Sequence, residues 1–194
     1  MALPNAVLFP NALMPLLIFE PRYRAMLVHC LEHDRMFCIG HMRPGVAEAH
    51  TLADIYPIAG LGLVRACVGH EDGTSHLVLQ GIARVRLGGV VQETPFRMTE
   101  ILALAAHPAP AEEARELSAE ILELCSGMEP GVNAGDDLSQ QLANIPEPEV
   151  LADVVAHTFL RDPQARQQVL EVLPVHERLE TLLRHLRSEA GQAM

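Results

Sequence analysis

The stretch from Leu3 to Leu27, LPNAVLFPNALMPLLIFEPRYRAML, constrains the fold more than any other part of this chain. Val7, Leu8 and Phe9 read as a short apolar strand that stops at Pro10. The run Ala12 to Phe19 is apolar throughout and is interrupted only by Pro15. Proline lacks the N–H that a β-ladder needs, so this run is confined to a sheet edge or a bend. Glu20-Pro21 then opens a helix. Pro21 suits a first helical position, where the missing N–H would go unpaired anyway, and Glu20 puts negative charge at the positive end of the helix dipole. Tyr23, Met26, Leu27 and Cys30 recur at helical spacing and predict the face that packs down.

The hydrophobic fraction of 49% supports a sizeable core and argues against disorder. All 14 basic residues are arginine, which removes several mechanisms at once. A phosphate-cradling Walker loop needs a lysine, and so do Schiff-base chemistry and a Ser-Lys proteolytic dyad. Charge is placed unevenly. Residues 1–106 hold eight arginines against nine acidic residues, whereas residues 107–194 hold six against sixteen. An acidic half of this kind repels phosphate backbones. With 4% aromatics and no Trp, base-stacking platforms are also scarce. Cys30, Cys38, Cys67 and Cys125 sit in apolar segments without disulfide-like spacing. No basic residue precedes Arg22, and no run reaches the roughly 18 apolar residues of a membrane span. A reduced, cytoplasmic protein is expected.

Along the chain, Met36 to Met42 predicts a strand and Ile58 to Val68 another, whose Gly60 and Gly62 suit a sharply bending strand. Glu71-Asp72-Gly73-Thr74 is a hairpin turn. In the returning strand, Leu77, Leu79, Ala83, Val85 and Leu87 share the core face. Gln80, Arg84 and Arg86 lie opposite with Val78 and Ile82, and Gly81 marks a bulge or a close backbone approach. Gly88-Gly89 is expected to end this strand, with Val90-Val91 and Arg97 to Leu104 continuing as further strands. After the stiff linker His107-Pro108-Ala109-Pro110, Glu112 to Met128 predicts an amphipathic helix and residues 130–137 a loop. Asp137 or Ser139 would cap a short helix running through Ile145. Helices are then expected from Pro146-Glu147-Pro148, from Asp162-Pro163 and from Pro174. In the last, Val175, Leu179, Leu182, Leu183 and Leu186 line up, and Glu180 can pair with Arg184.

Leu8-Phe9-Pro10, Leu16 and Ile18-Phe19-Glu20-Pro21-Arg22-Tyr23-Arg24 resemble the opening of the Lon protease N-terminal (LON substrate-binding) domain family, a "LFPG...LPLHIFEPRYR" run. Asn11 stands where that family usually has Gly, a change that still permits positive φ. Leu17 stands where His is common. Residues 58–87 and 151–186 resemble two later blocks of the same family. The resemblance implies an α+β fold: a PUA-like β pseudobarrel with one inserted helix over residues 1–106, then an antiparallel helical bundle over residues 107–194. It also implies a stand-alone recognition module without ATPase or protease parts, and a non-enzymatic role.

Several clusters invite chemistry and have plainer readings. His29 and His33, one turn apart with Cys30, Cys38 and His41 nearby, have metal-ligand character, but no HExxH or paired Cys-x-x-Cys accompanies them, so no metal and no cofactor is expected. Glu112, Glu113, Glu116, Glu120 and Glu123 fall on the polar side of a helix. Ser126 lacks a nucleophile elbow, and no catalytic residue is assigned. Phe19, Glu20, Pro21, Arg22 and Tyr23 form the family signature and read as structural. The remaining candidate is the run containing Leu13, Met14, Leu16 and Leu17, an open edge or groove where an extended peptide adds as a strand. Met14, Met26, Met36 and Met42 fall in the same region, and thioethers suit varied apolar partners. The partners expected are unfolded or partly apolar polypeptides, with no membrane. The alternative is a small-molecule or RNA binder acting through the barrel.

Overall fold

The computed structural model describes residues 1–131 and 138–192, apart from the side chain of Gln192. It divides into two compact units, Met1–Leu104 and Ala105–Met194. The first unit carries six strands among the described residues: β1 (Ala2–Leu3), β2 (Leu13–Ile18), β3 (Met36–His41), β4 (Ile58–Gly69), β5 (Ser75–Gln92) and β6 (Met98–Leu104). Helix α1 (Pro21–Glu32) is inserted between β2 and β3. The ladder order is β1-β3-β4-β5-β2, with β6 also on β5, and the path does not close on itself. Strand β5 is the spine. It runs antiparallel to β4, carries β2 beside residues 75–80 and carries β6 beside residues 84–92.

Helix α1 forms as its sequence dictates. Pro21 occupies the first turn, and Tyr23, Met26, Leu27 and Cys30 are its buried residues. They meet a core of Leu8, Ile18, Phe37, Ile39, Val64, Leu77 and Leu79. Full burial of a Leu or Met side chain stabilises by roughly 1.5–3 kcal/mol, so Met26 and Leu27, with Tyr23 and Cys30 beside them, hold a twelve-residue helix that would be marginal alone. Asn11 adopts φ 65°, the left-handed geometry that an asparagine tolerates.

Three expectations for this unit need correction. Val7, Leu8 and Phe9 are fully buried but do not form a strand. The segment crosses the β4–β5 pair where two glycines face it. A Cβ on Gly60 would lie 2.1 Å from the Leu8 carbonyl oxygen, and one on Gly81 would lie 1.9 Å from that of Phe9. Gly60 also serves this close approach, Gly62 makes room for the Leu79 side chain, and the register of β4 against β5 shifts between Leu61 and Gly62, as suits a strand that bends there. Strand β5 does not stop at Gly88-Gly89. It absorbs Val90 and Val91 and runs to Gln92, with its register against β6 slipping between Leu87 and Val90. Arg84, expected on the less covered face, is buried. The hairpin turn keeps the predicted form: Gly73 has φ 80° and the Arg24 guanidinium fills the space where its side chain would be.

The second unit contains α2 (Ala111–Ser126), α3 (Leu138–Ala143), α4 (Pro148–Phe159), α5 (Pro163–Glu171) and α6 (Val175–Gln192) among the described residues. Asp162 caps α5, its carboxylate accepting from the Gln164 and Ala165 amides. Val175, Leu179, Leu182, Leu183 and Leu186 are all buried. Arg178 is buried with them. It lies 3.4 Å from the Asp153 carboxylate and donates to the Val172 and Leu173 carbonyls. The Glu180–Arg184 pair does not form. Glu180 lies 3.5 Å from His176, and Arg184 donates to the Thr181 hydroxyl. Residues 132–137 of the expected loop, including Asp137 as a cap, lie outside the described residues, and Ser139 falls inside α3.

Candidate functional site

Period-2 geometry splits the four residues of the candidate edge between two faces. Leu13 and Leu17 are 55% and 47% exposed. Met14 and Leu16 are half-buried and pack on the core cluster. The ladder registers extend each set across the sheet. Leu17 lies opposite His76, which lies opposite Val68; Pro15 lies opposite Val78, which lies opposite Ala66. Directly opposed residues share a face, so Leu13, Pro15, Leu17, Val78, Ala66 and Val68 share one outward surface with Gln80, opposite Leu13, and His76, between Leu17 and Val68. Its apolar side chains come from three strands. Val68 is 61% exposed, and Phe19, just past the end of β2, is 59% exposed. Met14, Leu16 and Ile18 point the other way, beside Leu79 and Leu77.

Strand β2 ends the ladder path, so among the described residues one of its edges has no strand partner. Pro15 sits in the middle of that edge. It removes one donor, which limits how well another strand can add there.

The same unit contains a cleft of about 460 Å³. Tyr23, Met26, Phe37 and Ile55 supply buried lining, while Met98 and Ile101 are exposed at its rim. Six of the protein's twelve sulfur-bearing residues line it: Met1, Met26, Cys30, Met36, Cys38 and Met98. The segment from Glu93 to Thr99 forms one side. There Arg97 pairs with Glu93 at 3.1 Å and also donates to the His50 carbonyl, the Gln92 amide donates to the Phe96 carbonyl, and the Phe96 ring lies 5.5 Å from His29. Of the Met residues singled out by sequence, Met26 and Met36 belong to this cleft, Met42 is buried and Met14 packs under β2. Sequence reasoning missed the cleft because its walls come from segments as far apart as Arg22 and Ile101. The spacing of Met26, Cys30, Met36 and Cys38 was the one available signal.

The signature residues have structural partners. The Arg22 guanidinium bridges Glu20 and Glu48, each at 2.9 Å, and lies over the Tyr23 ring. The Tyr23 hydroxyl donates to the Ala2 carbonyl at 3.1 Å, tying β1 to α1. Burial pushes the Tyr23 phenol above its usual pKa. His29 and His33 stack with ring centroids 4.2 Å apart, and His33 Nδ1 sits 2.7 Å from the His29 carbonyl. His41 Nε2 contacts the Pro4 carbonyl. Burial pushes the Cys30 thiol up to about 11 and raises Cys38 as well, which keeps both protonated at neutral pH. No group of three or more His, Cys, Asp or Glu side chains is placed to share an ion among the described residues. In the second unit, Glu113 and Glu120 contact His176 and Arg187, and Ser126 Oγ donates to the Glu123 carbonyl. No described helix is long and apolar enough to cross a membrane.

Comparison with known proteins places these features in context. The model of the ATP-dependent protease La (LON) substrate-binding domain matches residues 1–188. The Lon protease of Paraburkholderia phytofirmans is 30% identical over 184 residues, covering 92% of this chain and 22% of that protein. The Lon protease of Desulfosudis oleivorans is 25% identical over 193 residues, covering 97% of this chain and 23% of that protein. The chain thus spans about a quarter of the length of these curated relatives. Among solved structures, the N-terminal domain of the Mycobacterium avium complex Lon protease superposes with a TM-score of 0.73 at 16% identity, over 96% of each chain. A Lon N-terminal domain protein from Xanthomonas campestris gives 0.65 at 20% identity, over 94% of this chain and 95% of that one. At such identities these two superpositions speak for the fold.

Proposed function

Because this chain belongs to the LON substrate-binding domain family, we propose that it works by holding other polypeptides, chiefly unfolded or partly apolar segments, and catalyses nothing itself. The observation that carries this reading is the outward face on which Leu13, Pro15, Leu17, Val78, Ala66 and Val68 gather from three strands around His76 and Gln80, with exposed Phe19 just past its end. Contiguous exposed apolar surface on a folded domain marks an interaction site more often than chance packing. In this reading Leu13 and Leu17 make the contact, while Met14 and Leu16 hold the face from beneath. The first unit is a PUA-like pseudobarrel whose strands present that face, and the protein acts as an adaptor in the reducing cytoplasm.

The test is binding of the full chain to an unstructured model polypeptide, followed by fluorescence anisotropy. Saturable binding that Leu17→Asp weakens at least tenfold supports the reading. No affinity for any of several such polypeptides refutes it. A small-molecule role is the second reading, favoured by the cleft. RNA is disfavoured by a net charge of -11, and a flat anisotropy titration with RNA at low salt would remove it.

A further inference from the structure

Of the eleven large hydrophobic side chains exposed among the described residues, five belong to one ribbon: Val90 and Val91 on β5, and Met98, Ile101 and Leu102 on β6. The β4 ladder leaves β5 at Arg86, whereas β6 accompanies β5 on to Gln92. Beyond Arg86 the sheet is therefore two strands wide. Leu102 lies on one face of this ribbon and Ile101 on the other, and both are exposed. Two strands alone are marginal, and a third stabilises them. Among the described residues β6 pairs only with β5, so its other edge is open. The two open edges of the sheet differ. That of β2 is interrupted by Pro15. That of β6, MTEILAL, has neither proline nor lysine and carries one charge, Glu100. An apolar edge without such guards is a template for another strand of its own kind. The unit that carries it is nearly neutral, with eight arginines against nine acidic residues in 1–106, so two copies meet there without strong repulsion.

We propose that β6 is the interface between two copies of this chain, which pair antiparallel along it and turn two ribbons into one four-stranded sheet, β5-β6-β6-β5. A two-fold axis that pairs all seven residues of β6 sets Ile101 against its own copy, Met98 against Leu104, Thr99 against Ala103 and Glu100 against Leu102. The one charge of the strand then meets a leucine and never itself. Leu102 lies opposite Arg86 on β5. Glu100 of one copy and Arg86 of the other therefore fall in one row on one face, two strands and about 10 Å apart at Cα. A glutamate and an arginine side chain together close that span. Both are exposed, and neither has an ion-pair partner among the described residues. Exposed pairs of this kind add little affinity and fix register. The affinity comes from the apolar side chains and from the edge N–H and C=O groups that gain partners.

Sedimentation velocity of the full chain at rising concentration should show a reversible monomer–dimer equilibrium. Ile101→Cys tests the register. Its two Cα atoms come within about 4.5–5.5 Å across the axis, a distance that a disulfide spans, so oxidised glutathione should link the copies. Ala103→Cys, four positions from its own copy, should stay unlinked, as should the parent chain with its own thiols. Glu100→Arg should weaken the dimer about fivefold, and adding Arg86→Glu should restore it, with thermal unfolding as the check that both variants fold. A chain that stays monomeric up to millimolar concentration overturns the proposal. So does cross-linking at Ala103 as ready as at Ile101, or a dimer indifferent to Glu100→Arg. A monomer whose β6 amides are protected from hydrogen exchange only when an unstructured polypeptide is added also overturns it, because the edge then serves that polypeptide. Leu17→Asp should leave the dimer intact, and its loss there would move the interface to β2. This inference and the polypeptide reading therefore fail separately.

Discussion

Two apolar runs lie four residues apart and meet opposite fates. Val7, Leu8 and Phe9 are no more than 1% exposed, whereas Leu13 and Leu17 are about half exposed. Hydrophobicity does not separate them. What separates them is the surface each one meets. Val7 to Phe9 runs over Gly60 and Gly81, where missing side chains let backbone approach backbone. Leu13 to Ile18 pairs with β5 at the end of the ladder path, so only alternate side chains reach the core. The first run is therefore fixed by packing on both sides, and the second leaves one face exposed.

That contrast can be broken most forcefully at the glycines. Gly81→Ala places a methyl within 1.9 Å of the Phe9 carbonyl oxygen, which is backbone and cannot swing aside. A loss of about 3 kcal/mol or more is expected, at the upper end of overpacking effects, read as a lowered urea midpoint. Leu8→Ala should cost slightly less, about 3 kcal/mol for a fully buried leucine, by the same measurement. Leu17→Asp should sharpen the contrast from the other side. Stability should stay within about 0.5 kcal/mol, as for an exposed position, while polypeptide affinity falls at least tenfold, about 1.4 kcal/mol. A destabilised Leu17→Asp would mean that the outward face is covered. The smallest effect is expected from Pro15→Val. It restores the donor missing from the β2 edge, so it should leave stability nearly unchanged and raise self-association, measured by sedimentation at increasing protein concentration.

The second unit offers a pH test of burial without touching either run. Burial is the main cause that lowers the His185 pKa below its ordinary value, with Arg184 adding to it. The unfolded chain then takes up this proton first as the pH falls. Stability from this group is complete above the ordinary histidine pKa of about 6.5 and declines as the pH drops below it. Comparing urea midpoints at neutral and mildly acidic pH for the parent and for His185→Gln should show a smaller acid loss in the variant.

Much of the fold was legible because it rests on local rules. Pro21, Pro148 and Pro163 each start a helix, and Tyr23, Met26, Leu27 and Cys30 are its buried stripe as their spacing predicts. Strands β3 and β4 begin where their apolar runs begin. The site was legible in part. Its strand was identified, but Leu13, Met14, Leu16 and Leu17 were grouped as one surface when a period of two already divides them. Arg84 was misplaced because alternation tells which residues share a face and says nothing of what later covers that face.

The sequence by itself determined the secondary structure of β2 and α1, the family to which the chain belongs and the absence of lysine chemistry, since each depends on residue identity and short-range spacing. Only the tertiary structure decided that Leu8 would be buried across Gly60, which face of β2 would remain open and that six sulfur-bearing side chains would line one cleft. Those outcomes depend on backbone approach and burial between residues tens of positions apart, and no local preference encodes such distances.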